Sequence, residues 1–149
     1  MKMRRIAPIA VFVTAFMLVT PTAWAFDHVS GVGQTRRSAS LGFVASSDRT
    51  GEFQYTSESG AFSVHCTRYS SFESSETKKG YPKVEITARK CFRKNGEQRF
   101  MWAVFIDRGE PGIVLDIGRM RWSREWPVTP ANTVRKDFGR IDAGNVQIL

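Results

Sequence analysis

The sequence predicts an all-β fold, a single antiparallel β-barrel or β-sandwich of about eight short strands with one disulfide bond. Two observations predict the class. Apolar and polar residues alternate over short stretches, as they do in half-buried strands, and turn residues such as Asn95-Gly96 separate those stretches. The two cysteines of the chain, Cys66 and Cys91, both fall in predicted strands, which favours one cross-link within the fold.

The N-terminal segment is set apart from the fold by its composition. Three basic residues precede an apolar stretch over residues 6–19, and Ala23-Trp24-Ala25 supplies a small-x-small cleavage pattern. These features predict a signal peptide over residues 1–25 and an exported, secreted or periplasmic protein. The apolar stretch is about 14 residues, short of the roughly 20 that span a bilayer, and we predict no transmembrane segment in the mature chain.

Residues 26–149 are predicted to form one all-β domain, since this length suits a single modest core. The first 25 residues hold three of the 22 Lys and Arg residues and none of the 14 Asp and Glu residues, which leaves the remainder with a net charge of +5. A moderately basic surface favours anionic polymers or membranes, without naming a partner.

The longest apolar segment predicts a hairpin at the centre of the domain. Residues 99–106 are apolar on both faces of a strand, whereas residues 113–120 have the commoner half-buried pattern. Between them, Gly109, Pro111 and Gly112 suit a chain reversal, and Asp107 can accept hydrogen bonds from the backbone of the turn.

The other elements follow from alternation and composition. Residues 70–81 are rich in serine and charge and predict a mobile loop, and residues 121–140 contain two prolines and predict a surface excursion with at most one short strand. The predicted strands cover residues 26–34, 38–46, 52–57, 61–69, 84–92, 99–106, 113–120 and 144–149.

Cys66 and Cys91 predict a disulfide, because an exported chain meets oxidising conditions. Cys66 falls on the same predicted face of its strand as the apolar residues that are expected to be buried. Cys91 falls on the opposite face from the apolar residues of its own strand. A bridge therefore requires a bulge or twist near Arg89-Lys90, or a position at the end of the sheet. Closing this loop stabilises the fold by about 3 kcal/mol in the chain-entropy model.

Large side chains are predicted to fill the interior, and a filled interior argues against a carrier of small apolar ligands. A cavity lined by the same residues would reverse that argument, so the carrier barrel stays as an alternative. The residues predicted to point inward are Phe43, Phe53, Phe62, Trp102 and Ile117.

Several motifs in this order resemble a family of small secreted bacterial β-proteins. They are G-x-G-Q from Gly31, F-x-V-x-C from Phe62, Cys91 followed by Asn95-Gly96, V-F-I-D-R-G-E-P-G from Val104, and G-N-V-Q-I from Gly144. The family typically carries V-x-D-x-G-E-P-G-x-x-D and ends in G-N-I-Q-I. The resemblance implies an all-β fold and export, and implies no activity. Asp116 lies farther along the chain than the second acid of the family motif.

Three carboxylates flank the central turn and are weak candidates for a hard-cation site: Asp107, Glu110 and Asp116. Their spacing matches no EF-hand loop, and Asp107 suits a turn cap instead. We predict no metal and no cofactor.

The sequence RMRWSREW, residues 119–126, predicts a mixed aromatic and basic binding surface. Aromatic rings beside arginines can stack on sugars and pair with phosphates or carboxylates. The alternative is that the tryptophans cover one end of a small core under arginine stems. The candidate binding residues are Arg119, Arg121, Trp122, Arg124 and Trp126.

These features predict a binding, interaction or structural module rather than an enzyme. An envelope polymer or another protein is the expected partner, and nucleic acid is not expected for an exported protein. A hydrolase that uses His65 with nearby Ser63 is the third alternative, although no Gly-x-Ser-x-Gly elbow or paired histidines accompany them.

Overall fold

The computed structural model describes residues 26–109 and 115–149, and every regular element in these ranges is a β-strand. The predicted signal peptide and part of the central turn, residues 110–114, lie outside the described residues. No helix within the described ranges is long and apolar enough to cross a membrane. The strands are β1 (His28–Thr35), β2 (Ser40–Ser46), β3 (Gly51–Thr56), β4 (Ser63–Cys66), β5 (Ser71–Glu76), β6 (Pro82–Arg93), β7 (Gln98–Ile106), β8 (Ile117–Ser123) and β9 (Thr133–Ile148).

Eight of the strands close into an antiparallel barrel in the order β1, β2, β3, β4, β6, β7, β8, β9, with β9 returning to β1. The ninth strand, β5, lies outside this ring and pairs only with β6. The predicted all-β fold is therefore confirmed, and it is a barrel rather than a sandwich. The predicted hairpin of residues 99–120 is present as β7 paired with β8.

The edge of β6 that faces away from β7 has two partners in succession. β5 pairs with residues 82–87, and β4 pairs with residues 91–93. The pairing with β7 shifts register between Ala88 and Cys91, which is the bulge that the parity of Cys91 predicts. As a result Cys91 turns inward, lies directly opposite Cys66, and forms the predicted disulfide with a Cα–Cα distance of 4.0 Å.

Aromatic rings from opposite walls meet inside the barrel. Phe43 on β2 stacks on Phe105 on β7 with ring centroids 3.9 Å apart, and these strands lie four positions apart in the ring of eight. One layer along, Tyr55 on β3 contacts Trp122 on the opposite strand β8 at 4.4 Å. These rings are buried, and along both lines the space between the walls is occupied by side chains.

One end of the barrel interior is polar. The buried Asp137 carboxylate accepts hydrogen bonds from the Thr35 hydroxyl at 2.9 Å and from the Tyr55 hydroxyl at 2.8 Å. Arg135 also turns toward this end, with its guanidinium carbon 5.0 Å from the centroid of the Phe62 ring. Burial, together with the nearby Asp137 carboxylate, raises the pKa of Tyr55 to about 12.

The prediction of a mobile loop over residues 70–81 is wrong. Residues 71–76 form β5, and a tight turn then leads to β6, with the Thr77 N–H donating to the Tyr81 carbonyl at 2.9 Å. Phe72 is the one large apolar residue of β5, and it packs against the core while its neighbours remain polar. The strand is held by its pairing with β6 more than by burial.

The prediction of a surface excursion over residues 121–140 is correct only in its middle. β8 continues to Ser123 and β9 begins at Thr133, which leaves residues 124–132 as the excursion. The inward direction predicted for Phe43, Phe53 and Phe62 is confirmed, since all three are buried in the core.

Trp102 and Ile117 do not point inward as predicted. Trp102 alternates with the buried Met101 and Ala103, and Ile117 precedes the buried Gly118, so both side chains face outward.

The first testable prediction concerns the disulfide. Reduction, or the double substitution Cys66→Ala/Cys91→Ala, should lower the free energy of unfolding by about 3 kcal/mol, because a covalent tie no longer limits the unfolded chain. Urea unfolding with and without reductant measures the difference. Reductant should not affect the double variant, and equal stability of oxidised and reduced wild type would contradict the prediction.

The second prediction concerns alkaline pH. The pKa of Tyr55 rises from 10.0 to about 12 on folding. The contribution of this group to the free energy of unfolding is therefore complete below pH 10 and is lost as the pH rises toward 12. The wild-type free energy of unfolding should therefore fall by at most about 1.4 kcal/mol per pH unit from this group over that interval. Tyr55→Phe should remove this part of the decline.

Urea unfolding between about pH 8 and pH 11 measures both slopes. Burial also raises the pKa of Tyr69, so some decline should remain in the Tyr55→Phe variant, and Tyr69→Phe serves as the matched comparison. Identical slopes in wild type and Tyr55→Phe would contradict the assignment.

Candidate functional site

A cationic and aromatic surface covers the outside of β7, β8 and β9, and we call it the outer face. It consists of Trp102, Arg119, Arg121, Lys136 and Phe138. The register places Trp102 beside Arg121 and Arg121 beside Lys136, while Arg119 lies beside Phe138. Two of these cross-strand pairs join a basic to an aromatic side chain, and the third joins two basic side chains.

Arg121 lies between two rings at the centre of the outer face. Its guanidinium carbon is 4.9 Å from the centroid of Trp102 and 5.0 Å from that of Phe138. Trp102 is fixed in turn, because its Nε1–H donates to the Glu85 carboxylate at 2.7 Å. A guanidinium held against ring faces keeps its N–H edge available for an oxyanion.

A second stack borders the outer face. The guanidinium carbon of Arg89 lies 4.2 Å from the centroid of Trp126, and Trp126 contacts Phe100 at 6.0 Å. Arg124 is nearby in sequence, with a side chain 69% exposed, and its Nε is 3.5 Å from a Glu97 carboxylate oxygen. Hydrogen bonding, above all from Arg99, lowers the pKa of Glu97.

The outer face has an asymmetric distribution of charge. Within residues 117–123 and 133–140 the sole acidic residue, Asp137, points into the barrel. Arg119, Arg121, Lys136 and Arg140 all occupy outward positions of these two strands. Within these two stretches no outward carboxylate offsets the positive charges. Carboxylates lie beyond them, since Glu85 of β6 accepts from Trp102 and the exposed Asp142 follows on β9.

Four of the five predicted binding residues remain on the surface in the structure. Arg119 and Arg124 are exposed, and Arg121 and Trp126 are partly exposed. Trp122 is not available, since it is fully buried and contacts Tyr55 and Phe62 inside the barrel. Alternation explains the difference, because an outward Arg121 turns the next residue inward.

Sequence reasoning missed three members of the outer face, Trp102, Lys136 and Phe138, and it missed Arg89 of the bordering stack. The apolar character of both faces of β7 already indicated that its outer side is covered, but the covering groups were not identified. An arginine directly across from Trp102 in the hairpin register would have identified one of them.

Two of the three weak metal candidates, Asp107 and Asp116, accept hydrogen bonds from backbone N–H groups. Asp107 accepts from the backbone N–H of Gly109 at 2.9 Å and of Ile148 at 3.2 Å. Asp116 accepts from Arg108 N–H at 2.8 Å and from Val146 N–H at 2.7 Å, and burial raises its pKa. The two residues fasten the hairpin to β9.

Glu110, the third metal candidate, lies outside the described residues. Over the two described ranges, no group of three or more His, Cys, Asp or Glu side chains is arranged to hold a metal ion.

His65 and Ser63 both lie on the outer side of β4, but their side chains contact different partners. His65 Nε2 is 3.6 Å from a Glu52 carboxylate oxygen, and its side chain is 45% exposed. The Ser63 hydroxyl pairs with the Thr56 hydroxyl at 3.1 Å. This pairing leaves Ser63 bonded to a neighbour in the sheet rather than to a base.

Comparison with protein-family models, curated proteins and solved structures found no significant match. The resemblance to small secreted β-proteins therefore stays a prediction, and the function must be argued from the geometry of the chain itself.

Proposed function

We propose that the protein is an exported binding module whose outer face holds an anionic envelope polymer built from sugar rings and phosphate or carboxylate groups. The observation that carries this proposal is the position of Arg121 between Trp102 and Phe138, with further cations on the neighbouring strands. Rings suit the apolar faces of sugars, and guanidinium groups suit the anionic substituents.

The arrangement of the cations supports polymer binding over capture of a small molecule. The basic groups extend along two strands, so a chain with several anionic groups can meet more than one of them. A disulfide is compatible with the oxidising compartments that lie outside the cytoplasm. Export itself rests on the predicted signal peptide.

The carrier alternative is less well supported. A ligand inside the barrel would need to displace the stacked Phe43 and Phe105 rings or the contact between Tyr55 and Trp122. Such layers stabilise a core because they leave opposite walls in contact.

The third prediction tests the outer face. Arg119→Gln/Arg121→Gln should weaken binding to immobilised polygalacturonate and to a sugar-phosphate polymer by about tenfold, since two cations that meet the ligand are removed. Binding should also fall as salt is added. Neutral dextran is the blank, and binding isotherms in low salt are the measurement.

Arg37→Gln/Lys94→Gln is the matched control, because it removes the same charge from two exposed turn residues elsewhere. Thermal melts check that both variants fold. Equal losses in the two variants would show attraction to net charge alone, and no loss in the outer-face variant would refute the proposal.

A further inference from the structure

A pocket of about 430 Å³ opens on the side of the barrel where β4 leads into β5. Four of its lining residues are basic and none is acidic. The remaining two are the buried Tyr69 and the partly exposed Ser70, and the basic ones are Arg49, Arg68, Arg89 and Lys90. We call it the basic pocket.

Three chain segments supply these cations, and each is attached to the next. Arg49 comes from the turn between β2 and β3, Arg68 from the link between β4 and β5, and the adjacent Arg89 and Lys90 from the bulge in β6. The Tyr69 N–H donates to the Arg49 carbonyl at 3.1 Å, which joins the first segment to the second.

Tyr69 adds a second anchor for the same link. Its hydroxyl oxygen lies 2.8 Å from the carbonyl oxygens of both Val44 and Glu52, so the ring is fixed against the β2–β3 hairpin. The residue is only 3% exposed. Side chains on either side of Tyr69 are therefore carried on a rigid backbone.

The disulfide joins the second segment to the third. Cys66 is two residues before Arg68, and Cys91 directly follows Lys90. Backbone bonds continue the attachment, with the Ser70 N–H donating to the Thr87 carbonyl at 2.7 Å. The backbone segments that carry the four basic residues are thus attached to one another before any ligand arrives.

Nearby carboxylates are occupied by other groups. Asp48 accepts from the Thr50 hydroxyl and backbone N–H, which lower its pKa, and Glu52 lies beside His65. Within residues 26–109 and 115–149, no carboxylate oxygen lies within 4.0 Å of a charged nitrogen of the four basic residues. Several positive charges around one opening, without a carboxylate paired to them, favour an anionic ligand.

We propose that the basic pocket binds a phosphoryl group, either as a free phosphate monoester or as the phosphorylated end of a polymer. A phosphate monoester carries about −1.5 to −2 charge and three acceptor oxygens, which suits an opening lined by several basic residues better than a single carboxylate does. The volume leaves room for the group that bears the phosphate. Arg89 is shared with the stack on Trp126 that borders the outer face, but none of the five outer-face residues lines the pocket. Phosphate binding here therefore does not require those five residues.

The closing experiment measures binding by calorimetry to inorganic phosphate, a hexose phosphate and a short sugar-phosphate chain, with acetate and dimethyl phosphate as comparison anions. Wild type should bind at least one of the first three about tenfold more tightly than either comparison anion. Arg68→Gln/Lys90→Gln should weaken that binding at least tenfold.

Arg37→Gln/Lys94→Gln again controls for net charge and should bind like wild type. Arg68 and Lys90 are both exposed, so the thermal midpoint of Arg68→Gln/Lys90→Gln should stay close to that of wild type, and lost binding is then not lost folding. Preference for hexose phosphate over the chain would assign a free monoester, and the reverse would assign a polymer end.

The site would be refuted by equal phosphate affinity of wild type and Arg68→Gln/Lys90→Gln, or by no saturable binding of any phosphate monoester at roughly millimolar concentration. The outer face has its own variant, Arg119→Gln/Arg121→Gln, so the two proposals fail in different assays.

Discussion

The barrel depends on the short contact between β4 and β6. Only three residue pairs join these strands, and one of them is the cystine itself, Cys66 opposite Cys91. Without this seam the sheet would remain open between β4 and β6. The bulge after Ala88 is what allows the seam, because it turns Cys91 inward and frees the earlier part of β6 to pair with β5. The bulge thus accounts both for the closure of the barrel and for the pairing of the extra strand β5 with β6.

The class of fold and its central hairpin could be predicted because their strands follow simple alternation. The bulge was predictable as well, since Cys91 broke the parity of its neighbours. β5 could not be predicted because its sequence is SFESSE, and one phenylalanine gives no period. The first half of β9 inverts the usual pattern, with Asp137 inside and Phe138 outside, so its alternation pointed to no buried face.

The outer face was predictable in part. A run of arginine and tryptophan in β8 indicated a mixed surface, but only the strand direction shows that Arg121 faces outward and Trp122 inward. The partners of Arg121 come from β7 and β9, and their register is a tertiary property. The basic pocket needs three segments far apart in sequence, although the predicted cross-link between Cys66 and Cys91 already brings Arg68 near Lys90.

The polar layer inside the barrel also limits how the strands can be aligned. If β9 slipped by one residue against β8, Asp137 would face solvent, and Lys136 or Phe138 would enter the space beside Thr35 and Tyr55. Two buried hydroxyl groups would then lose their acceptor, which costs more than the loss of an apolar contact of the same size. Asp137 therefore helps to fix the register of β9, because a misaligned barrel would leave buried hydroxyl groups without an acceptor.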